Sequence, residues 1–106
     1  MSTHPTPHNF ANFTEFYPYY LGEHANRTCR RLHFIGTSLV LLMPPVAAIS
    51  GRWTLLLALP LVGYGFAWAG HFFFEHNRPA TFRYPLWSLR GDFRLWRQLL
   101  TGQLPL

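Results

Sequence analysis

The fold is decided by one long apolar stretch, residues 32–74, which reads LHFIGTSLVLLMPPVAAISGRWTLLLALPLVGYGFAWAGHFFF. Its single charged residue, Arg52, divides it into two charge-free segments. Each segment is long enough to form a helix across a hydrocarbon core of roughly 30 Å, which takes about 20 residues. The stretch therefore predicts a transmembrane helical hairpin that turns at Arg52, with helices at about residues 33–50 and 53–75.

Two considerations bear on this prediction. Pro44 and Pro45 require the first helix to kink or to be packed by its neighbours. A buried hairpin in a soluble oligomer is the alternative, but charge-free runs of this length are uncommon in small soluble domains.

The 106 residues allow one small domain. We predict an all-α integral membrane protein over residues 10–106, preceded by a disordered polar tail at residues 1–9 without a signal peptide.

Amphipathic segments flank the hairpin on both sides. An aromatic stripe before it recurs at steps of three and four residues: Phe10, Phe13, Tyr17, Leu21 and His24. We expect Pro18 to divide that helix. After the hairpin, a leucine and aromatic face lies opposite an arginine face over about residues 85–100. Such a helix is typical of the membrane interface, although an amphipathic helix that covers a soluble core has the same pattern.

The charge distribution predicts the topology and the partner. Nine basic and four acidic residues give a net charge of +5, and every basic residue is an arginine. All of the arginines except Arg52 lie on the side of the hairpin's outer ends, so the positive-inside rule places both termini in the cytoplasm. They flank apolar segments and alternate with aromatic residues, which favours lipid headgroups over nucleic acid. Cys29 is the only cysteine, which excludes an intrachain disulfide and a cysteine-based zinc site.

Ionisable residues flank the hairpin at matched positions. His33 lies 19 residues before Arg52 and His71 lies 19 residues after it. Antiparallel helices therefore bring the two imidazoles to the same depth, about 28 Å from the turn. Glu75 follows His71 by four residues and shares its helix face. Two imidazoles and a carboxylate from two helices predict a non-haem Fe(II) site with open positions for substrate and oxygen.

Two further histidines join the site only if the chain departs from two straight helices. His24 is nine residues from His33, on the opposite face of one straight helix, so it reaches the site only if the chain breaks around residues 25–28. His76 lies about 140° round the helix from His71 and fits only if the helix ends there. Residues 77–79, Asn-Arg-Pro, are typical of such an end.

Three alternatives stay open at this point. Histidines at a membrane interface often contact headgroups or backbone, and Glu75 could pair with Arg78. Groups at matched membrane depth favour a function instead, because ionisable residues there are usually functional. A haem between His33 and His71 is the nearest rival, although it leaves Glu75 and His24 unexplained. A non-enzymatic membrane scaffold or lipid-binding protein would have no use for the matched groups.

Two long blocks of sequence resemble the Mpo-type 2-hydroxy fatty acid dioxygenase family, long catalogued as a domain of unknown function. They read EFYPYYLGEHANRTCRRLHFIGTS at residues 15–38 and GYGFAWAGHFFFEHNRPATFRYPLWSLRGDF at residues 63–93. The resemblance implies an Fe(II)-dependent dioxygenase that uses dioxygen to remove one carbon from long-chain 2-hydroxy fatty acids during α-oxidation. Characterised fungal relatives act at the endoplasmic reticulum; a bacterial member would lie in the inner membrane.

The resemblance also implies roles for individual residues. The family's iron-binding histidines map onto His24, His33 and His71, with Glu75 in the same block. His76 stands where lysine is common in similar sequences, so it is the weaker ligand candidate.

Other polar residues beside these ligands are candidates for substrate and support roles. Arg27 or Arg78 would bind the substrate carboxylate, with a lipid-headgroup contact as the alternative for each. The residues expected to orient the ligand imidazoles are Asn26, Asn77 and Asp92. One hairpin and two interfacial helices offer little enclosure, which favours a homo-oligomer.

Overall fold

A computed structural model describes residues 10–106, apart from the side chain of Ala80; the predicted polar tail at residues 1–9 lies outside the described residues. Over this range the chain is helical and contains no strand, which confirms the all-α prediction. The elements in chain order are α1 (Phe13–Gly22), α2 (Arg27–Ser50), a 3-10 helix (Trp53–Ala58), α3 (Leu59–Gly70), a π-helical turn (His71–Glu75), a 3-10 turn (Ala80–Phe82) and α4 (Pro85–Leu100).

The apolar stretch forms the predicted hairpin. Gly51, in the left-handed conformation at φ 72°, ends α2 and lets the chain turn at Arg52. The two arms, Arg27–Ser50 and Trp53–Glu75, are both long and apolar enough to cross a membrane. Only 17% of the residues in the apolar 18-residue segment of each arm are buried, so most of these apolar side chains face outward rather than into a protein core. The first arm continues as one helix through both of its prolines.

Small residues allow the two arms to approach closely. A Cβ atom at Gly70 would lie 2.9 Å from the sulfur and 3.1 Å from the Cα atom of Cys29, so a larger residue would push the helices apart. Near the middle of the arms, a Cβ at Gly63 would lie 3.3 Å from a methyl of Val40. The contact beside Gly70 fixes the helix spacing next to His71, which follows it directly.

An aromatic core joins α1 to α4. Its buried members are Phe13, Phe16, Tyr17, Tyr19, Tyr20, Leu95 and Leu99. The prediction that Pro18 divides the first helix is wrong, since α1 runs through it. Pro18 lacks an amide hydrogen and crowds the carbonyl four residues earlier, at Thr14. Both residues are exposed, so the disrupted backbone lies on the outer face of the helix.

Helix α4 has two different apolar faces. The face against the protein carries the small residues Ser88 and Gly91 together with Leu95 and Leu99. Gly91 is required there, because an added Cβ would lie 3.0 Å from the ring of Tyr20. The leucine and aromatic face seen in the sequence is largely exposed, at Leu86, Leu89, Phe93 and Leu100. An outward apolar face beside an arginine face is the arrangement expected of an interfacial helix.

Candidate metal centre

Three buried histidines from three different segments meet at the base of the hairpin. His24 lies between α1 and α2, His33 lies in α2, and His71 begins the π-helical turn. The Nε2 atom of His24 is 3.0 Å from that of His33 and 2.9 Å from that of His71. One ring nitrogen from each of the three residues falls within 4.8 Å of the others, which is close enough to hold a metal ion.

A break between α1 and α2 turns His24 toward the cluster. Helix α1 ends at Gly22 and α2 begins at Arg27, so the break at residues 23–26 overlaps the region where His24 requires one. The side chain of Asn26 caps α2 by accepting a hydrogen bond from the backbone amide of Cys29 at 3.1 Å. Arg30 donates from Nε to the carbonyl oxygen of His24 at 2.8 Å. These contacts hold the turn in the orientation that buries the imidazole.

The Nδ1 atom of every clustered histidine faces an oxygen that accepts hydrogen bonds. His24 Nδ1 lies 2.6 Å from the carbonyl oxygen of Tyr20, and His33 Nδ1 lies 2.9 Å from the carbonyl oxygen of Cys29. A carbonyl oxygen only accepts, so both Nδ1 atoms must carry a hydrogen and donate it. The Nε2 atoms of His24 and His33 are then unprotonated in the neutral rings.

The same tautomer holds for His71, through the side chain of Asn77. His71 Nδ1 lies 2.7 Å from Asn77 Oδ1. The Asn77 amide cannot be reversed, because its Nδ2 donates to the carbonyl oxygen and to the carboxylate of Glu23, at 3.2 and 2.5 Å. With Oδ1 fixed as the acceptor, His71 Nδ1 donates and its Nε2 is also unprotonated.

Three unprotonated nitrogens therefore converge on one point. The Nε2 lone pair of His24 is repelled by those of His33 and His71 about 3 Å away, and no pair of these nitrogens can share a hydrogen bond in this tautomer. Imidazole nitrogens that ligate one ion at about 2.1 Å lie roughly 3 Å apart, so the donor set fits a metal ion. Burial and the neighbouring His33 and His71 rings lower the pKa of His24 well below its ordinary value, which keeps that imidazole neutral and available.

The other predicted site residues lie outside this cluster. Glu75 accepts a hydrogen bond from the backbone amide of Asn26, and so connects the end of the second arm to the start of the first. His76 is exposed and left-handed, at φ 56°. Arg27 and Arg78 are exposed, and the Arg78 guanidinium lies over the ring of Phe82.

Asp92 approaches the cluster without joining it. It accepts a hydrogen bond from the Tyr20 hydroxyl at 2.5 Å. Together with the three histidines it lines a chamber of about 20 Å³. Burial raises the pKa of Asp92 to about 7, although the hydrogen bond from Tyr20 opposes that shift.

Sequence reasoning missed four residues that support the cluster, one of which is Cys29, whose carbonyl accepts from His33 Nδ1. Tyr20 supplies the carbonyl for His24 and stacks on its ring at 4.0 Å between centroids. Glu23 fixes the orientation of Asn77, and Arg30 holds the His24 backbone. Tyr20 left a signal in its spacing of four residues from His24 within an aromatic-rich segment. Backbone contacts such as the one from Arg30 leave none.

Comparison with known proteins gives one match. The family model described as 2-hydroxy-palmitic acid dioxygenase Mpo1-like matches residues 10–104, nearly the whole chain. No significant match is found among curated proteins or among solved structures. The matched range includes every residue of the histidine cluster and every residue that its imidazoles contact.

Proposed function

Because the chain belongs to the 2-hydroxy-palmitic acid dioxygenase Mpo1-like family, we propose that it is an Fe(II)-dependent dioxygenase of the membrane surface. It removes one carbon from long-chain 2-hydroxy fatty acids, as in α-oxidation. The observation that carries the proposal is the convergence of three unprotonated Nε2 atoms in a buried cluster. In this reaction the 2-hydroxy acid and dioxygen give the shortened acid, carbon dioxide and water, and the atoms balance. The C1–C2 bond breaks, C2 becomes the new carboxyl carbon, and dioxygen takes up the four electrons.

The proposed ligands are His24, His33 and His71. Bound Fe(II) would supply dioxygen activation and a chelating point for the carboxylate and 2-hydroxyl of the substrate. The three histidine nitrogens would hold the ion, and a site with three protein ligands would leave positions open for substrate and oxygen. Asn77 and the carbonyls of Tyr20 and Cys29 hold the imidazoles in the ligating tautomer. Burial of the cluster limits access by water.

The haem alternative has little support from the geometry. The three rings form a compact triangle, with centroids 4.3 Å apart for His24 and His33, 4.4 Å for His24 and His71, and 5.0 Å for His33 and His71, which leaves no room for a porphyrin between any two of them. The chamber at the cluster holds about 20 Å³, which is far too small for a porphyrin. The absence of a Soret band in purified protein would agree with the non-haem interpretation.

The membrane placement follows from the outward apolar side chains of the hairpin and from the arginines. We place both arms across the bilayer, both termini in the cytoplasm and α4 at the interface, in contact with anionic lipid headgroups. The cluster then lies near the cytoplasmic surface, where the acyl chain of the substrate stays in an apolar environment and its polar head reaches the metal. Arg27 and Arg78 flank this end and could attract the carboxylate. The small size of the hairpin favours a homo-oligomer.

The test is oxygen uptake by detergent-purified protein that has been loaded anaerobically with Fe(II) and given a long-chain 2-hydroxy fatty acid. We expect uptake and a product one carbon shorter. His71→Ala should lose both iron and uptake, whereas His76→Ala, a matched change at an exposed histidine, should keep both. Bound iron without uptake would retain the metal centre and reject the substrate. Neither iron nor uptake would favour the scaffold alternative.

A further inference from the structure

A second, larger cavity adjoins the histidine chamber. Helices α2, α3 and α4 enclose a volume of about 240 Å³. The residues that line both this cavity and the chamber at the cluster are His33, Tyr64, Ala67 and Asp92. The two spaces therefore adjoin each other, and the larger one lies directly beside the histidine cluster.

The lining of the larger cavity changes character along its length. Ionisable groups, His33 and Asp92, lie at the end shared with the cluster. The far end is formed by the apolar side chains of Val40, Leu59 and Pro60 together with Gly63. A metal-binding end followed by an apolar end matches an amphiphile with a short polar head and an alkyl chain.

We propose that this cavity holds the first part of the substrate's acyl chain and that Gly63 and Val40 form its far end. The inference rests on the proposed function, because the cluster must anchor the head of a 2-hydroxy acid for its chain to enter here. Seven residues of α2 separate His33 from Val40, a distance of about 10 Å. An extended chain with C–C bonds of about 1.5 Å rises roughly 1.3 Å per carbon, so the cavity takes roughly eight carbons.

The contact between Gly63 and Val40 limits the length. A Cβ atom at Gly63 would lie 3.3 Å from the Val40 methyl, so the two helices are already close at this level of the cavity. Carbons beyond this point must leave sideways between the helices, toward the lipid. Gly63 is thus a specificity-determining residue: any side chain placed there fills the cavity or separates the two arms.

The experiment maps the chain by photolabelling. Full-length protein in lipid nanodiscs is loaded with Zn(II), which binds imidazole but has no redox chemistry, so no turnover occurs. The probe is a 2-hydroxy fatty acid with a diazirine roughly eight carbons from its carboxylate. We expect the label, located by mass spectrometry, on Val40, Leu59, Pro60 or Gly63, and we expect unlabelled 2-hydroxy acid to compete. Labels confined to the outward-facing Leu57 and Leu61, or no competable label, would overturn the inference.

Gly63→Val and Gly65→Val form a matched pair. Both replace a glycine of α3, but a Cβ at Gly65 meets nothing within 4 Å. Gly63→Val should lose the cavity label while it keeps bound zinc, and Gly65→Val should keep both. A label that survives in zinc-bound Gly63→Val would overturn the inference, and if that variant does not fold the wild-type map decides alone. Product analysis of Fe(II)-loaded wild type is a separate readout. Label without product would support the cavity as the acyl-chain site and reject the oxidation. Product without label would support the oxidation and reject the cavity as the acyl-chain site.

Discussion

The Nδ1 atom of His71 lies 2.7 Å from the Oδ1 atom of Asn77, and this contact decides which nitrogen of the imidazole is free. Asn77 is itself held by Glu23, so its acceptor cannot rotate away. We predict that Asn77→Ala weakens metal binding by about 10- to 100-fold, the usual effect of losing a hydrogen-bond partner of a ligating histidine. Competition with a coloured chelator measures the affinity, and helical circular dichroism should be unchanged. Equal affinities in Asn77→Ala and in the exposed amide variant Gln103→Ala would contradict this role.

The variant Glu75→Gln tests whether the carboxylate is a ligand. In the structure, Glu75 accepts a hydrogen bond from the backbone amide of Asn26, and an uncharged glutamine oxygen can accept the same bond. We therefore expect Glu75→Gln to retain metal affinity and most of the stability. Glu75→Ala should keep the metal but lower the melting temperature, because it separates the two arms. A tenfold or larger loss of iron affinity in Glu75→Gln would instead assign Glu75 to the metal, as the sequence predicts.

Much of this arrangement could be predicted from residues 32–74. The charge-free length gives the hairpin, and the equal spacing of His33 and His71 from Arg52 gives their common depth. The sequence predicts that His24 joins the site only if the helix breaks before His33. It does not predict the break itself, because that depends on contacts such as the one between Arg30 and the His24 carbonyl. The hydrophobic pattern does not identify the inner face of α4 as buried. Gly91 on that face carries no hydrophobic signal, although its small size makes room for the Tyr20 ring.

The variant His76→Gly separates a backbone role from a ligand role. His76 adopts φ 56°, a left-handed conformation that costs a non-glycine residue about 1 kcal/mol. Glycine adopts it without that cost, so the free energy of unfolding should rise by up to about 1 kcal/mol while metal content stays unchanged. Thermal denaturation and metal analysis of the same preparation check both effects. Loss of metal in His76→Gly would show that the imidazole does contribute to the site.

The variants Gly70→Ala and Gly65→Ala test whether close helix contact positions the cluster. Both glycines lie in α3, so the change in helix propensity is the same. An added methyl at Gly70 would meet the Cα atom of Cys29 at 3.1 Å, whereas one at Gly65 would meet nothing within 4 Å. We expect Gly70→Ala to lower stability by about 1–3 kcal/mol and to weaken metal binding, because it displaces the adjacent His71. Gly65→Ala should be neutral or stabilising by up to about 1 kcal/mol. Similar metal affinities in the two variants would show that the cluster tolerates a wider helix spacing.

The variant Asp92→Asn tests the environment of the carboxyl group that lines both the histidine chamber and the larger cavity beside it. The pKa of Asp92 is raised from its ordinary 3.8 to about 7, mainly by burial. The folded protein therefore holds a proton that the unfolded chain releases. The resulting stability is fully present below about pH 4 and is lost as the pH rises toward 7.

The asparagine of the variant cannot ionise, but its side-chain oxygen can still accept the hydrogen bond from Tyr20. The stability of wild type relative to the variant should thus fall across this range, by at most about 1.4 kcal/mol per pH unit, and then level off. Thermal denaturation of both metal-free proteins in detergent measures the difference. Stability curves that stay parallel over the whole range would show that the Asp92 carboxylate is solvated.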